Sequence, residues 1–309
     1  MSGSPTSQPY RPYRPYRPEE DFLSPPVSLT VSPKSPDAGS AVTLTATITN
    51  TASITLRDTV LHLAVDGTGR PSHLGSLAPG ATATRSWRTR LADDAEGLVS
   101  FTAHALFDVH REGSDCARAT SSVRLPNRSL AGAFDNAGIA SDDALTVADI
   151  DGSRSSLSAQ ALASVGLTPG AVVTYDGVAF TWPDTEPGNK DNVVASGQTV
   201  LLSGAGSRLA FLGTSTWGEG KGRGTVVYAD GTEQAFSVAV PDWYGTNASA
   251  AVVAPYRHIS TGRDDTPVSL YVFDVALEEK ELRAVVLPKV SDGSQSGVPA
   301  LHIFAMTVA

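Results

Sequence analysis

A chain of 309 residues is too long for one compact β-sandwich and short for three ordinary domains, so two domains are expected. With 41% hydrophobic and 18% charged residues it can bury sizeable cores, and its formal charge of −9 leaves no basic footprint beyond Arg11, Arg14 and Arg17, which argues against a nucleic-acid partner and for a neutral ligand. No apolar stretch approaches the roughly 18 residues of a membrane span, the N-terminus lacks the apolar core of a signal peptide, and a lone cysteine, Cys116, rules out an intrachain disulfide and reads as a small buried hydrophobe in a strand.

Residues 1–24 hold a literal Pro-Tyr-Arg repeat followed by Pro18, Glu19, Glu20 and Asp21. Proline at every third position keeps a chain extended, in a form that buries no core, so this segment reads as a flexible tether. From Val27 the period becomes two, over 27–31 and then 42–49, where apolar and hydroxyl residues alternate as in half-buried antiparallel strands. Pro33, Pro36, Asp37 and Gly39 supply the turn between them. Further strands are expected at 59–65, 81–91, 98–109 and 116–125, about seven in all at the rhythm of a sandwich. Val99, Phe101, Ala103, Ala105 and Phe107 share one face and should meet Leu44, Ile48, Leu61, Leu63 and Trp87 in the core of an immunoglobulin-like domain spanning 25–126. The short polar segment from Pro126 to Gly132 ends that rhythm.

The second domain, 127–309, opens with 134–143 and then offers one helical stretch, 158–165, with a serine start, Gly166 as its stop, and Leu162 and Val165 facing inward. Strands follow at 172–175, 178–182, 199–202, 208–212, 224–229, 234–240, 268–275, 284–287 and 301–308, and Asp176-Gly177 and Asp230-Gly231 each mark a hairpin. Nine or so strands and one small helix describe a jelly-roll sandwich, and no βαβ alternation competes with it. The fold class is therefore all-β, with two β-sandwich domains.

A catalytic kit is hard to find. The glycine-rich stretch 218–224 matches neither phosphate-binding pattern and no helix follows it; no Gly-x-Ser-x-Gly sits on a strand-to-helix turn. The six histidines, His62, His73, His104, His110, His258 and His302, lack ligand spacing and read as solvated or hydrogen-bonded rather than as zinc ligands. Acidic residues are plentiful, yet no pair stands out as a glycosidase dyad. Asp135, Asp142 and Asp143, with Asp149 and Asp151 close behind, form an acidic cluster whose loop oxygens could hold a structural calcium ion, against the turn and cap roles such residues more often fill. No other cofactor is expected. The aromatic residues Trp182, Trp217, Trp243, Tyr244 and Tyr256 each lie beside Pro, Gly, Asp or Asn, as loop residues do. Trp182 is in phase with Phe180 and reads as core, whereas Trp217 and the Trp243-Tyr244 pair read as platforms for the C–H faces of a sugar, with Asp242, Asn247, Arg257 and His258 to bond its hydroxyls.

The strings Gly166-Leu167-Thr168-Pro169-Gly170, Phe180-Thr181-Trp182-Pro183, Asp191-Asn192-Val193-Val194-Ala195, Phe211-Leu212-Gly213, Asp242-Trp243 and His302-Ile303-Phe304-Ala305-Met306 resemble the C-terminal accessory module attached to secreted glycoside hydrolases of actinobacteria. Asn50 and the Leu77-Ala78-Pro79-Gly80 turn resemble the immunoglobulin-like domain associated with α-galactosidases and their carbohydrate-binding modules. The resemblance implies a galactose-binding-like jelly roll without catalytic residues, weak binding of a polysaccharide or glycan, an extracellular location and a catalytic glycoside hydrolase domain as partner. No hydrolase domain precedes these modules here, as in a split gene, a fragment or a stand-alone binding protein. Two rival readings are a small glycoside hydrolase or esterase, which needs buried, perturbed carboxylates in a cleft, and a structural or protein-docking module, which needs an exposed apolar patch.

Overall fold

A computed structural model describes residues 25–34, 36–64, 70–109 and 113–309; the Pro-Tyr-Arg tail and His110 lie outside the described residues. The chain is all-β and divides into two compact units, the first holding the residues up to Val31, Thr43–Trp87 and Phe101–Ser121, the second holding Ser32–Val42, Arg88–Ser100 and Ser122–Ala309.

The immunoglobulin-like sandwich has strands β1 (Val27–Ser32), β2 (Ala41–Thr49), β3 (Leu56–Ala64), β4 (Arg70–Leu77), β5 (Thr82–Arg90), β6 (Gly97–Val109) and β7 (Gly113–Leu125). Their sheets run β1-β2-β5 and β4-β3-β6-β7. The alternation of β2 works as its pattern demands: Val42, Leu44, Ala46 and Ile48 are buried, while Thr45, Thr47 and Thr49 pair their hydroxyls with Ser86, Thr84 and Thr82 of β5 at 2.9–3.0 Å. Phe101, Ala103, Ala105 and Phe107 join Leu44, Ile48, Leu61 and Leu63 as buried residues, but Val99 and Trp87 are only half-buried. Asn50 is fully buried, donating to the carbonyls of Ile54 and Leu77 at 2.8 Å each, and thereby ties the β2–β3 connection to the end of β4. Cys116 corrects its sequence reading: Ala117, Val123 and Leu125 take the inward phase of β7, which turns residue 116 out to an exposed position. Strand β4 escapes the alternation signal because it contains Pro71 and Gly75, tolerated at the sheet edge that β4 forms.

The second sandwich continues with β8 (Ile139–Ala140), β9 (Ser156–Ser158), helix α1 (Ala159–Ser164), β10 (Val172–Tyr175), β11 (Val178–Thr181), β12 (Val193–Val194), β13 (Thr199–Gly204), β14 (Arg208–Thr216), β15 (Gly220–Tyr228) and β16 (Glu233–Val240). It ends with β17 (Val252–Ala254), β18 (Arg257–Ile259), β19 (Gly262–Asp264), β20 (Val268–Ala276), β21 (Leu282–Val286) and β22 (Ala300–Val308). A five-stranded sheet, β12-β22-β14-β20-β17, packs one face on the four-stranded sheet β13-β21-β15-β16 through Val200, Leu209, Phe211, Val226, Val285, Leu301 and Ile303. Its other face is covered by α1, the β10–β11 hairpin and the small sheet β19-β18-β9-β8, through Ala210, Leu212, Leu270 and Phe304 against Leu157, Leu162, Phe180 and Trp182. A strand buried on both faces needs apolar residues in both phases, which is why β14 and β22 read as near-continuous runs rather than as alternation.

Local signals agree with this layering. Ser158 caps α1 by accepting from the Ala161 amide, and Gly166 follows the helix at φ +89°. Asp176 and Gly177 both adopt positive φ between Tyr175 and Val178, the two-residue hairpin geometry. At Gly213 the β14–β22 register shifts, and a Cβ there would meet the His302 carbonyl oxygen at 2.3 Å, so no other residue fits. Trp182 stacks on Phe304 with centroids 4.9 Å apart, joining the hairpin layer to the central sheet. Phe304→Ala should therefore cost about 3–5 kcal/mol in denaturant unfolding, and the Trp182→Ala, Phe304→Ala double variant should lose less than the sum of the singles; strict additivity would show that the two rings are not energetically coupled.

Candidate functional site

Strand β14 leaves the core at Thr216, and Trp217 stands in the turn that leads to β15. It adopts φ +60°, a conformation that costs a bulky residue roughly 1–3 kcal/mol. Two contacts hold it there: its indole N–H donates to the Asp151 carbonyl at 2.6 Å, and the next amide, Gly218, donates to Asp242 Oδ2. Asp242 Oδ1 also accepts from the Tyr244 amide at 2.8 Å, so one carboxylate fixes both aromatic segments. Trp217 and Tyr244 remain 42% and 60% exposed. Between them lies a shallow cleft of about 280 Å³ lined by Asp151, Ser153, Ser155, Trp217, Asp242, Trp243, Tyr244 and Arg257. The Arg257 guanidinium carbon lies 4.7 Å from the Tyr244 ring centroid and 5.3 Å from that of Trp243, and its Nε donates to Asp264 Oδ2 at 2.9 Å.

The fold thus brings together Trp217, Asp242, Tyr244 and Arg257 over Trp243, and it takes Tyr256 and His258 elsewhere. Trp243 floors the cleft but is 2% exposed, which corrects its reading as a sugar platform: neighbouring residues on an extended chain point to opposite sides, so with Tyr244 outward Trp243 goes into the core. The same alternation on β18 sends Arg257 to the cleft and buries His258. Tyr256 is also buried, its hydroxyl donating to Asp142 at 2.7 Å and its ring covered by the Arg263 guanidinium at 3.7 Å. The chain adds Asp151, Ser153 and Ser155 to the cleft, which spacing did not single out because they come from the loop before β9.

His258 instead joins Ser156 and Asp142: its Nδ1 lies 3.3 Å from Ser156 Oγ and its Nε2 2.9 Å from Asp142 Oδ1. Serine, histidine and aspartate in series invite a hydrolase reading, but Ser156 has no exposed surface and a substrate cannot reach it. Burial alone would raise the Asp142 carboxyl; hydrogen bonds from Ser158, Tyr256 and His258 outweigh it and hold the group below its ordinary range. Asp142 therefore serves as a structural acceptor. The carboxylates of the calcium expectation lie apart: Asp135 accepts from the Val194 amide and the Gln198 side chain, Asp142 is taken by the hydroxyls and imidazole just described, and Asp143 faces solvent. Among the described residues no three His, Cys, Asp or Glu side chains surround a common point suited to a metal ion. Asp149 and Asp151 bond the amides of 151–153 and 155, as turn residues do.

A second buried polar group lies around His302, one of the histidines expected to be solvated or hydrogen-bonded. His302, on the doubly buried β22, has no exposed surface; its Nδ1 donates to Asn192 Oδ1 at 2.9 Å, and its Nε2 lies 3.3 Å from Thr216 Oγ1. Asn192 in turn donates to Asp191, which also accepts from the amides of Gly138 and Ile139. Burial lowers His302 from 6.5 to about 3 and raises Asp191 from 3.8 to about 6 against those donors. The two act oppositely on stability. Below pH 6.5 the unfolded chain protonates His302 and the folded chain does not, so acid destabilises down to about pH 3; from about pH 6 to 3.8 the folded chain protonates Asp191 first, so acid stabilises. Their slopes, each up to about 1.4 kcal/mol per pH unit, oppose one another over roughly pH 4–6. Asp191→Asn should remove the Asp191 contribution and make unfolding free energy fall more steeply than in the parent between pH 6 and 4, read from denaturant titrations at each pH; an unchanged slope would contradict this account.

Among solved structures the chain is similar to the CARDB domain of PF1109 from Pyrococcus furiosus (16% identity over 33% of this chain and 95% of that one, TM-score 0.26). It is also similar to a bacterial immunoglobulin-like domain from the M. primoryensis ice-binding adhesin (17% identity over 33% and 98%, TM-score 0.24) and to the secreted serine protease VesC from Vibrio cholerae (11% identity over 93% and 51%, TM-score 0.26). No curated protein matches it. Residues 22–108 match the CARDB family, and with residues 120–309 matching over most of its length the chain belongs to the AziU2-like beta-sandwich domain family.

Proposed function

We propose that this chain is a non-catalytic accessory module in which the immunoglobulin-like domain, 25–126, spaces or docks the second domain, 127–309, and the second domain binds a carbohydrate at the Trp217–Tyr244 cleft. The observation that carries the reading is the exposed indole of Trp217, held at an unfavourable backbone angle by Asp151 and Asp242. Strain of that kind persists where the surroundings over-determine it, and it presents an aromatic face to solvent where packing would otherwise take it inward. A sugar ring offers C–H groups to such a face and adjacent hydroxyls that both donate and accept. The cleft supplies both partners: Arg257 donates, and the Asp242 carboxylate, whose oxygens each keep a lone pair beyond the backbone amide they take, accepts.

The shallow site suits weak binding, and its two carboxylates are held by the backbone. Both oxygens of Asp242 already accept from backbone amides, and Asp151 is 5% exposed with Oδ1 bonded to two more. Partnership with a catalytic glycoside hydrolase and an extracellular setting follow from the resemblance of the sequence strings. No helix among the described residues is long and apolar enough to cross a membrane.

A glycan array screened with the purified chain should give binding to a defined saccharide, and Trp217→Ala and Tyr244→Ala should each weaken it by about 1–3 kcal/mol with little change in melting temperature. Trp243→Ala should instead lower stability by about 3–5 kcal/mol, as for a core tryptophan. A blank array, or glycan binding indifferent to both exposed rings, would move the function to protein docking.

A further inference from the structure

The outer face of the four-stranded sheet in the first sandwich gathers three histidines that the sequence scatters. Strand register places Val60 and His62 of β3, His104 and Leu106 of β6, and Pro71 and His73 of β4 on that face, opposite the buried phase of Leu61, Leu63, Ala103 and Ala105. His62 and His104 are direct cross-strand partners, whereas His73 lies beside Val60, one diagonal step from His62. Directly opposed residues of an antiparallel pair hold their Cβ atoms about 4.5–5.5 Å apart, close enough for two imidazoles to converge on one ion.

The state of their nitrogens separates these histidines from the other two described. His258 and His302 are buried with both ring nitrogens engaged. His62 and His104 are half-buried, and neither makes a hydrogen bond, ion pair or ring contact among the described residues. Two imidazoles with uncommitted lone pairs, held by a rigid ladder, are the ligand chemistry of divalent zinc, copper and nickel.

We propose that His62 and His104 form a two-histidine chelate for a divalent transition-metal ion of the zinc class. The absence of any three-ligand metal cluster among the described residues makes the chelate open. Its remaining positions take water or a donor from another molecule, so the ion exchanges and is not a structural cage. The site belongs to the first unit and the Trp217 cleft to the second, and it does not depend on carbohydrate binding.

Zinc titrated calorimetrically into the full chain should bind at one site. His62→Gln and His104→Gln should each weaken it by about tenfold or more, while His73→Gln, His110→Gln and Cys116→Ser leave it nearly unchanged. Glutamine is tolerated on a solvent-facing strand, and far-UV circular dichroism checks the fold. Independently of any variant, ¹⁵N-histidine NMR of the parent chain should show zinc moving the ring nitrogens of two histidines only. Absence of zinc binding, binding that survives both His62→Gln and His104→Gln, or loss on substituting Cys116 or His110 would overturn the proposal.

Discussion

The second domain depends on burying its five-stranded sheet on both faces. Phe211 and Ile303 face the four-stranded sheet, while Leu212 and Phe304, one residue along, face the layer of α1, the hairpin and Trp182. The backbone of β14 and β22 is thereby shielded from water, and its polar groups pair across the ladder, with the Gly213 register shift admitted only because that residue has no Cβ. The same shielding explains the behaviour of the polar groups caught inside: burial shifts His302 and Asp191 toward their neutral forms, and each takes its hydrogen bonds from fixed neighbours.

Rigidity in that sheet is what gives the cleft its geometry. Trp217 begins where β14 ends, and Trp243 and Tyr244 follow the Ser215–Asp242 bridge beside the same strand. The turn carrying Trp217 is therefore anchored at the end of β14, a strand buried at every position but its first, and tied to the Trp243-Tyr244 segment by the Asp242 carboxylate. A side chain held off its preferred backbone conformation is useful only if the frame does not relax around it, and a strand packed on both faces is the least compliant frame available.

How far the sequence could be read follows from which physical signals are local. Alternation along β2, the serine cap of α1 and the Asp176-Gly177 turn are set by neighbours within a few residues, and they appear in the structure where the pattern puts them. Strand β4 was hidden because an edge strand tolerates the proline and glycine that blur its pattern. In the candidate site, Trp217, Tyr244 and Arg257 were legible from their polar company, but Trp243 was not, since its company is equally polar and only the phase of the chain decides which of two adjacent rings is outside. The partners of Asp142 illustrate the same limit: Tyr256 and His258 lie 114 and 116 residues away, so a sequence cluster of aspartates was dispersed once folded, Asp135 and Asp142 to separate donors and Asp143 to solvent.

Histidine makes the contrast sharpest. Spacing along the chain is the usual guide to metal ligands because it works for loops and helices, where ligands are sequence neighbours. In a sandwich the neighbour of a residue is its cross-strand partner, and its identity depends on register, which turn and bulge geometry set outside the strand itself. His62 and His104 become adjacent only because β3 and β6 pair in the register that aligns Leu61 with Ala105 and Leu63 with Ala103. Sliding β3 by a single residue would bury His62 and expose Leu61 and Leu63 while leaving His104 where it is. The packing of the first sandwich therefore determines the histidine pair on its outer face, and the hydrophobic alternation that encodes the fold also encodes that juxtaposition.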